Sequence, residues 1–302
     1  MLGDVLTAAV TPFKPDLSVD FGAFARLCSH LVENGSDGVV VAGTTGEAPT
    51  LSDGERLELV ATAVETIGSR ATVVAGTGTY STEHSVHLTS SAHELGADAF
   101  LVVTPYYSKP NVEGIVRHFA AIADATDRPV VVYNIPQRVV VNLEPDTLAR
   151  LAEIPNVRAV KQATTDLDQA RRIVAETDLA LYAGNDDLLL PFLVLGGVGG
   201  IHVYTHLVGP RVKELLTRLK AGDHDGAAEI ERELRPLVDA LAVTTNPIPV
   251  KAALALAGRD VGGLRLPLVE ATDDERAVVR EALERLGVVP RAENAPAFGL
   301  RS

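Results

Sequence analysis

Short runs of apolar, largely β-branched residues alternate with amphipathic stretches from the start of the chain to about residue 225. An uninterrupted apolar run is typical of a parallel strand that is buried on both faces. These runs predict eight strands, at residues 5–10, 38–42, 72–75, 99–103, 130–133, 157–161, 179–182 and 200–203. Between the strands, apolar residues recur at helical spacing, first as Phe24, Leu27, Cys28 and Leu31.

The helix that follows the second strand has both a predicted start and a predicted buried face. Ser52 followed three residues later by Glu55 predicts a capping box at its amino end. Its buried face is predicted from the apolar residues Leu57, Val60, Ala61 and Val64.

Eight strands that alternate with helices predict an α/β fold, the (β/α)8 or TIM barrel. A doubly wound open sheet is the alternative, but no GxGxxG motif follows the first strand. Beyond residue 225 the strand pattern stops, and residues 227–243, 249–257 and 273–286 predict helices. We therefore expect a barrel over residues 1–225 and a C-terminal helical region over residues 226–302, with a loosely ordered end.

Composition narrows the functional class. The 302 residues carry a formal net charge of −13, which argues against nucleic acid or an anionic membrane as a partner. Cys28 is the single cysteine, so no intrachain disulfide can form, and no Cys/His cluster has zinc spacing. The chain has no basic leader and no apolar run of membrane-spanning length, so we expect a cytoplasmic enzyme.

Two neighbouring strands end on groups that can do chemistry. Lys161 ends the sixth predicted strand, and Tyr133 ends the fifth. A buried ammonium is costly unless it is paired or loses its proton, and a neutral lysine is a nucleophile towards carbonyl carbon. A lysine that merely extends to water is the ordinary alternative. In a barrel, however, reactive groups lie at the carboxyl ends of the strands.

Other strand ends supply polar groups to the same face of the predicted barrel. Thr44 and Thr45, flanked by glycines, follow the second strand and can donate hydrogen bonds to a carboxylate. Tyr107 follows the fourth strand, and Arg138 follows the fifth.

Several motifs together resemble a known family. They are residues 38–47 with Glu55, residues 133–136 followed by residues 160–163, and the segments 104–107 and 246–251. On these residues the chain resembles the pyruvate-dependent class I aldolases, the family that contains dihydrodipicolinate synthase and N-acetylneuraminate lyase. The resemblance runs from residue 6 to about residue 267, which is nearly the whole chain.

The resemblance implies a role for each residue at the strand ends. Lys161 would form an imine with pyruvate, and the derived enamine would attack an aldehyde. Tyr133 is similar to the family's proton shuttle, linked through Thr44 to Tyr107 of a neighbouring subunit. The chain is therefore expected to form a homotetramer, a dimer of dimers. Thr45, with Thr44, would hold the pyruvate carboxylate.

The resemblance also implies the second substrate. Arg138 is similar to the arginine that binds the carboxylate of aspartate semialdehyde, and a guanidinium is well matched to a carboxylate. This favours a synthase of lysine and diaminopimelate biosynthesis over an aldolase or lyase for sugar acids. Gly184 and Ile201 match positions whose backbone carbonyls face the substrate. No metal or cofactor is expected, because the iminium acts as the electron sink.

The chain departs from the family's usual pattern at several positions. Loss of acidic residues at two of them, Gln162 and Asn185, is expected to favour anionic substrates near the mouth of the barrel. The full set of departures is Val139, Val140, Gln162, Asn185, His202 and His206.

Two rival functions remain open at this point. A metal-dependent barrel aldolase or hydrolase would use His202 and His206 as ligands, although no further ligand lies at another strand end in a suitable register. A non-catalytic paralogue that binds small keto acids is the second rival, because one barrel fold supports many functions.

The sequence also predicts weak inhibition by lysine. In lysine-sensitive relatives, an asparagine and a glutamate hold the effector beside an aromatic residue. Tyr80 and His84 stand at those positions here, and Tyr106 keeps the aromatic one.

Overall fold

Eight parallel strands close into a barrel in the computed structural model, which describes residues 2–290. Each strand pairs with its neighbours in chain order, and the last strand closes the barrel against the first. The predicted (β/α)8 barrel is thus confirmed. The strands are β1 Val5–Ala8, β2 Gly38–Val41, β3 Thr72–Gly76, β4 Ala99–Val103, β5 Val130–Asn134, β6 Val157–Gln162, β7 Ala180–Ala183 and β8 Gly199–His202.

The bounds of these strands agree with the sequence-based prediction to within one residue, except at the end of β1. That strand stops at Ala8, two residues before the predicted end. The N–H of Val10 donates to Nε2 of His206 at 3.3 Å instead of extending the ladder.

Helices surround the barrel, and three more follow it. Two helices, a short one and a longer one, lie between β5 and β6, and 3-10 turns at Ala48–Thr50 and Asp186–Leu188 follow β2 and β7. No helix among residues 2–290 is long and apolar enough to cross a membrane. The helices are α1 Phe21–Glu33, α2 Asp53–Ile67, α3 Thr82–Glu94, α4 Val112–Ala123, α5 Pro136–Val139, α6 Pro145–Ala152, α7 Leu167–Glu176, α8 Leu189–Val194, α9 Thr205–Lys220, α10 His224–Leu241, α11 Ile248–Leu256 and α12 Asp273–Arg285.

The core has two layers, as a barrel requires. One fills the barrel interior with inward-facing side chains such as Leu6, Val40 and Ile201. The other lies between the strands and the helices. Helix α1 contributes its four predicted residues to this second layer, because its apolar stripe faces the strands.

Helix α2 begins as predicted but buries a different face. The capping box is present, since the Ser52 hydroxyl accepts from the Glu55 N–H and the Glu55 carboxylate accepts from the Ser52 N–H. Of the four residues predicted to face the core, Val60 is buried and the other three are half-buried. The buried face is formed by Arg56, Leu59, Val60, Ala63 and Ile67.

The C-terminal helices α10 to α12 lie within three residues of their predicted bounds. Helix α11 returns to the carboxyl ends of the strands, where its Lys251 meets Glu47 of the segment after β2. Residues 291–302, which belong to the predicted C-terminal region and its loosely ordered end, lie outside the described residues. The division of the chain at residue 225 stays a prediction.

Candidate active site

Lys161 and Tyr133 meet inside the barrel, at the carboxyl ends of adjacent strands. They are direct partners in the parallel register of β5 and β6. The Lys161 Nζ lies 4.4 Å from the centroid of the Tyr133 ring, within the range of a cation–π contact. Both residues are 5% exposed. The structure therefore brings the predicted amine and phenol together.

A cavity of about 240 Å³ opens beside this pair. Thr44, Tyr133 and Arg138 line it, and Lys161 lies next to it, in contact with the Tyr133 ring. A larger cavity of about 670 Å³ lies at the amino ends of the strands. Because barrel enzymes place their chemistry at the carboxyl ends, the smaller cavity is the candidate site. Its lining residues are Ala42, Gly43, Thr44, Ala48, Pro49, Arg56, Gly76, Gly78, Leu101, Val103, Tyr106, Tyr133, Ile135, Arg138 and Val139.

The two threonines after β2 lie in a tight turn, in which the Glu47 N–H donates to the Thr44 carbonyl at 3.1 Å. Thr44 is half-buried and faces the cavity, whereas Thr45 is 3% exposed. The Thr45 hydroxyl accepts a hydrogen bond from Nδ2 of Asn246 at 2.9 Å. The turn thus presents Thr44 to the cavity and ties Thr45 to the C-terminal region.

Arg138 extends from the short helix α5 and lines the cavity together with Tyr133. Its Nη2 donates to the Asn246 carbonyl at 3.2 Å and to the Thr245 hydroxyl at 3.4 Å. Among residues 2–290 its other guanidinium nitrogens donate to no acceptor, and since the residue is exposed they can meet an anion.

Gly184 and Ile201 take positions close to the other site residues. The Gly184 N–H donates to the Gln162 carbonyl at 2.8 Å, and a Cβ on Gly184 would lie 2.8 Å from the Cβ of Ala163. Only glycine therefore fits there. Ile201 is fully buried on β8, in the same interior cluster as Tyr133.

Tyr107 is not brought together with the other predicted catalytic residues within one chain. Its side chain is 95% exposed, and its backbone has a positive φ of 72°. The preceding residue, Tyr106, faces the cavity instead. A role for Tyr107 thus depends on a second subunit, as the resemblance implies, and stays a prediction.

Gln162 does not lower the negative charge of the cavity, contrary to our expectation. It follows Lys161 on β6, so its side chain points to the opposite side of the sheet. There it is fully buried in an amide network, accepting from Asn134 at 3.0 Å and donating to Gln169 at 2.8 Å. An amide side chain fits this position because it can both donate and accept hydrogen bonds.

The two histidines are engaged in the layer outside the barrel interior. His202 Nδ1 lies 3.0 Å from Asp186 Oδ1, and His206 Nδ1 lies 2.7 Å from the Val203 carbonyl. Burial lowers the pKa of His206 to about 4, so this ring is neutral at neutral pH. No group of three or more potential metal-ligating side chains occurs among residues 2–290. The described residues therefore give the metal-dependent alternative no support.

Sequence reasoning missed two residues near the site. Asn246 contacts both Thr45 and Arg138, although the sequence indicated only that it lies in a motif. Arg56 lines the cavity from α2, and the apolar pattern gave no signal for it.

Comparisons with known proteins agree with this geometry. The model of the dihydrodipicolinate synthetase family matches residues 1–286. The 4-hydroxy-tetrahydrodipicolinate synthase of Desulforudis audaxviator is 48% identical over 284 residues, which cover 93% of this chain and 96% of the relative.

Solved structures agree as well. A dihydrodipicolinate synthase from Cyanidioschyzon merolae with lysine bound superposes with a TM-score of 0.94 at 42% identity, covering 95% of this chain and 99% of that one. A monomeric dihydrodipicolinate synthase variant gives a TM-score of 0.92 at 42% identity, with 95% and 97% covered. The chain belongs to the dihydrodipicolinate synthetase family.

Proposed function

We propose that this chain is a Schiff-base aldolase that condenses pyruvate with L-aspartate 4-semialdehyde to give 4-hydroxy-tetrahydrodipicolinate. This reaction is a step of lysine and diaminopimelate biosynthesis. The observation that carries the proposal is the contact between Lys161 and Tyr133 at the carboxyl ends of β5 and β6, in a chain of this family.

Lys161 is the proposed nucleophile. Its neutral amine adds to the ketone carbon of pyruvate, and loss of water gives an iminium. Loss of a proton from the pyruvate methyl group gives an enamine, whose carbon attacks the aldehyde. The iminium accepts the electron pair when the enamine forms and is regenerated when the enamine carbon attacks the aldehyde, so the reaction needs neither a metal nor a cofactor. The amino group of the semialdehyde then adds to the iminium carbon, which closes the ring and expels the Lys161 amine.

Tyr133 is the proposed proton shuttle. A phenol in contact with the amine can deliver a proton to the hydroxyl that leaves as water. The Thr44 hydroxyl would link Tyr133 to Tyr107 of a neighbouring subunit. The 95% exposure of Tyr107 leaves it available to another chain.

Separate groups hold the two substrates. The turn at Thr44 and Thr45 would bind the pyruvate carboxylate, and the backbone carbonyls of Gly184 and Ile201 would face the substrate. Arg138 would bind the carboxylate of the aldehyde, because its guanidinium lines the same cavity as Tyr133.

A role for Tyr107 in a second subunit requires an assembly, and we propose a homotetramer built as a dimer of dimers. Sedimentation of the purified protein tests this, since a monomeric variant is known among similar structures. We further propose a cytoplasmic location, since no helix among residues 2–290 is long and apolar enough to cross a membrane.

Product identification tests the proposed function. The protein is incubated with pyruvate and either aspartate semialdehyde or N-acetylmannosamine, and the products are identified by mass spectrometry. Borohydride added with pyruvate alone should fix a pyruvyl adduct on Lys161, located by peptide mapping. Turnover of N-acetylmannosamine alone would assign a sugar-acid lyase, and the absence of any adduct would overturn the mechanism.

A further inference from the structure

A buried amide network lies directly behind the contact between Lys161 and Tyr133, on the outer side of the sheet. Asn134 follows Tyr133 on β5, and its side chain is fully buried. Gln162 follows Lys161 on β6 and is fully buried as well. Asn134 and Gln162 are direct partners in the register of the two strands, and the Asn134 Nδ2 donates to Oε1 of Gln162 at 3.0 Å. One side-chain hydrogen bond thus joins the strands one residue beyond the reactive groups.

The polar groups of the Gln162 amide all have partners. Its Nε2 donates to Oε1 of Gln169 at 2.8 Å and to the Thr164 hydroxyl at 3.1 Å, while its Oε1 accepts from Asn134. Gln169 in turn donates from Nε2 to the Leu143 carbonyl at 2.8 Å. The Leu143 N–H donates to Oδ1 of Asn134 at 3.1 Å. The network therefore closes into a ring that runs from β5 through β6 and the start of α7 to the segment before α6.

Burial alone does not require amides at this level of the sheet. Two residues earlier on the same strands, the outward positions are occupied by Val132 and Val160, which are fully buried among apolar side chains. A hydrogen-bonded pair can often be replaced by an apolar pair of the same shape at little cost. Hydrogen bonds, however, fix distance and direction, and a fully satisfied buried network makes its surroundings rigid. The change from valine to amide occurs at the level where the Lys161 amine meets the Tyr133 phenol.

We propose that Gln162 and Asn134 are positioning residues for the reaction. Their hydrogen bond holds β5 and β6 in the register that keeps the Lys161 amine against the Tyr133 phenol. This role rests on the proposed function, in which the amine forms the imine and the phenol supplies the proton. The two amides touch neither the substrates nor the reacting atoms, and they act only through the residues that precede them. Proton transfer requires close approach, and a displacement of about 1 Å can slow a reaction about a hundredfold.

The rate of imine formation tests this role. The full chain is mixed with pyruvate and quenched with borohydride at increasing times, and the adduct on the intact protein is quantified by mass spectrometry. Gln162→Met keeps the length of the side chain but removes its donors and its carbonyl acceptor. Imine formation in this variant should be at least about tenfold slower than in the wild type. Its KM for aspartate semialdehyde should stay within about threefold, because the network does not include Arg138.

Gln169→Met is the matched control. Gln169 is a buried amide of the same ring, but it lies on α7 and is not adjacent to a reacting residue. Its replacement should lower the melting temperature about as much as Gln162→Met does, while imine formation stays within about threefold of the wild-type rate. Equal slowing in the two variants would show that general loosening of the barrel limits the reaction, and would overturn the positioning role.

A conservative variant checks that the hydrogen bond itself matters. Gln162→Glu keeps an acceptor for the Asn134 amide, whether or not its carboxyl group is protonated. It should form the imine at least about threefold faster than Gln162→Met, when each variant is compared at the plateau of its pH profile. The plateau removes any effect of the new carboxyl group on the ionisation of Lys161. If the Gln162→Met protein does not fold, Asn134→Leu breaks the same hydrogen bond from β5 and should show the same slowing.

The outcomes separate the positioning role from the proposed function. Wild-type kinetics in Gln162→Met, or no recovery in Gln162→Glu, would overturn the positioning role and leave the proposed function intact. Absence of a pyruvyl adduct in the wild type would overturn both.

Discussion

The Lys251 ammonium lies 2.6 Å from Oε1 of Glu47, and the two side chains are 2% and 0% exposed. At this distance, and with both groups buried, the contact is a charge-assisted ion pair. The other oxygen, Oε2, accepts from the Arg265 N–H at 3.0 Å, and Lys251 also donates to the Gly263 carbonyl at 2.7 Å. This ion pair thus holds the turn that contains Thr44 and Thr45 against the C-terminal helices.

Breaking this pair should destabilise the protein. Lys251→Met leaves the buried Glu47 carboxylate without a counter-charge, which should lower the free energy of unfolding by about 3–5 kcal/mol. Denaturant unfolding measures the change. The control is Arg117→Met, which breaks the exposed pair with Glu113 and should lower the free energy of unfolding far less, because solvent screens an exposed ion pair. Equal effects of the two variants would contradict the structural role of the buried pair.

Loss of the nucleophile should abolish turnover without unfolding the protein. Lys161→Ala should neither turn over substrate nor form a pyruvyl adduct with borohydride. Lys161→Arg should be almost as inactive, because a guanidinium does not deprotonate near neutral pH. Intact-mass analysis reads out the adduct, and the exposed Lys14→Ala serves as the control. An adduct of wild-type yield on Lys161→Ala would place the imine on another lysine.

Arg138 should affect the aldehyde more than pyruvate. Arg138→Ala leaves the aldehyde's carboxylate without its partner and should cost roughly 2–4 kcal/mol in kcat/KM for aspartate semialdehyde. Imine formation with pyruvate should persist, so the adduct yield is an internal control. Loss of the adduct with an unchanged preference for the aldehyde would show that this arginine binds pyruvate.

Val140 holds a backbone conformation that its side chain disfavours. It ends α5, two residues after Arg138, with a φ of 69°, and it is 66% exposed. For a β-branched residue this left-handed conformation is strained, by about 1–2 kcal/mol. Glycine is the usual residue in such a position.

Val140→Gly should therefore stabilise the protein by about 1 kcal/mol, after the greater freedom of glycine in the unfolded chain is subtracted. Denaturant unfolding checks this, with Val269→Gly as the matched control. Val269 is 55% exposed and has no positive φ, so its replacement should bring no gain. Destabilisation by Val140→Gly would mean that the valine side chain makes a compensating contact.

Lysine should inhibit this enzyme weakly. The Tyr80 ring packs edge-on against Tyr106 with centroids 5.5 Å apart, and His84 is held by Asp53. Neither residue has the side-chain amide or carboxylate that lysine-sensitive relatives carry at these two positions. Loss of one charge-assisted contact costs about 1.5–3 kcal/mol, which weakens binding about ten- to a hundredfold. Initial rates in a lysine titration should give half-maximal inhibition no lower than the millimolar range.

The Cyanidioschyzon merolae protein, whose structure has lysine bound, is titrated with lysine alongside for comparison. Tight inhibition of the present chain would show that other groups of the pocket hold the effector.

The sequence by itself determined the barrel and the central pair of the site. Buried parallel strands appear as apolar runs of regular spacing, which is why the eight strands could be predicted almost to the residue. The carboxyl ends of neighbouring strands lie side by side, so Lys161 and Tyr133 could be predicted to meet.

Tertiary structure alone decided the rest. Helical periodicity leaves the buried face uncertain by one residue, or about 100°, and this hid Arg56 among the core positions of α2. The contact between Asn246 and Thr45 joins residues separated by 201 positions, and the ion pair of Lys251 with Glu47 has a similar span. Such contacts depend on where the C-terminal helices return to the barrel, and no local pattern in the sequence encodes that path.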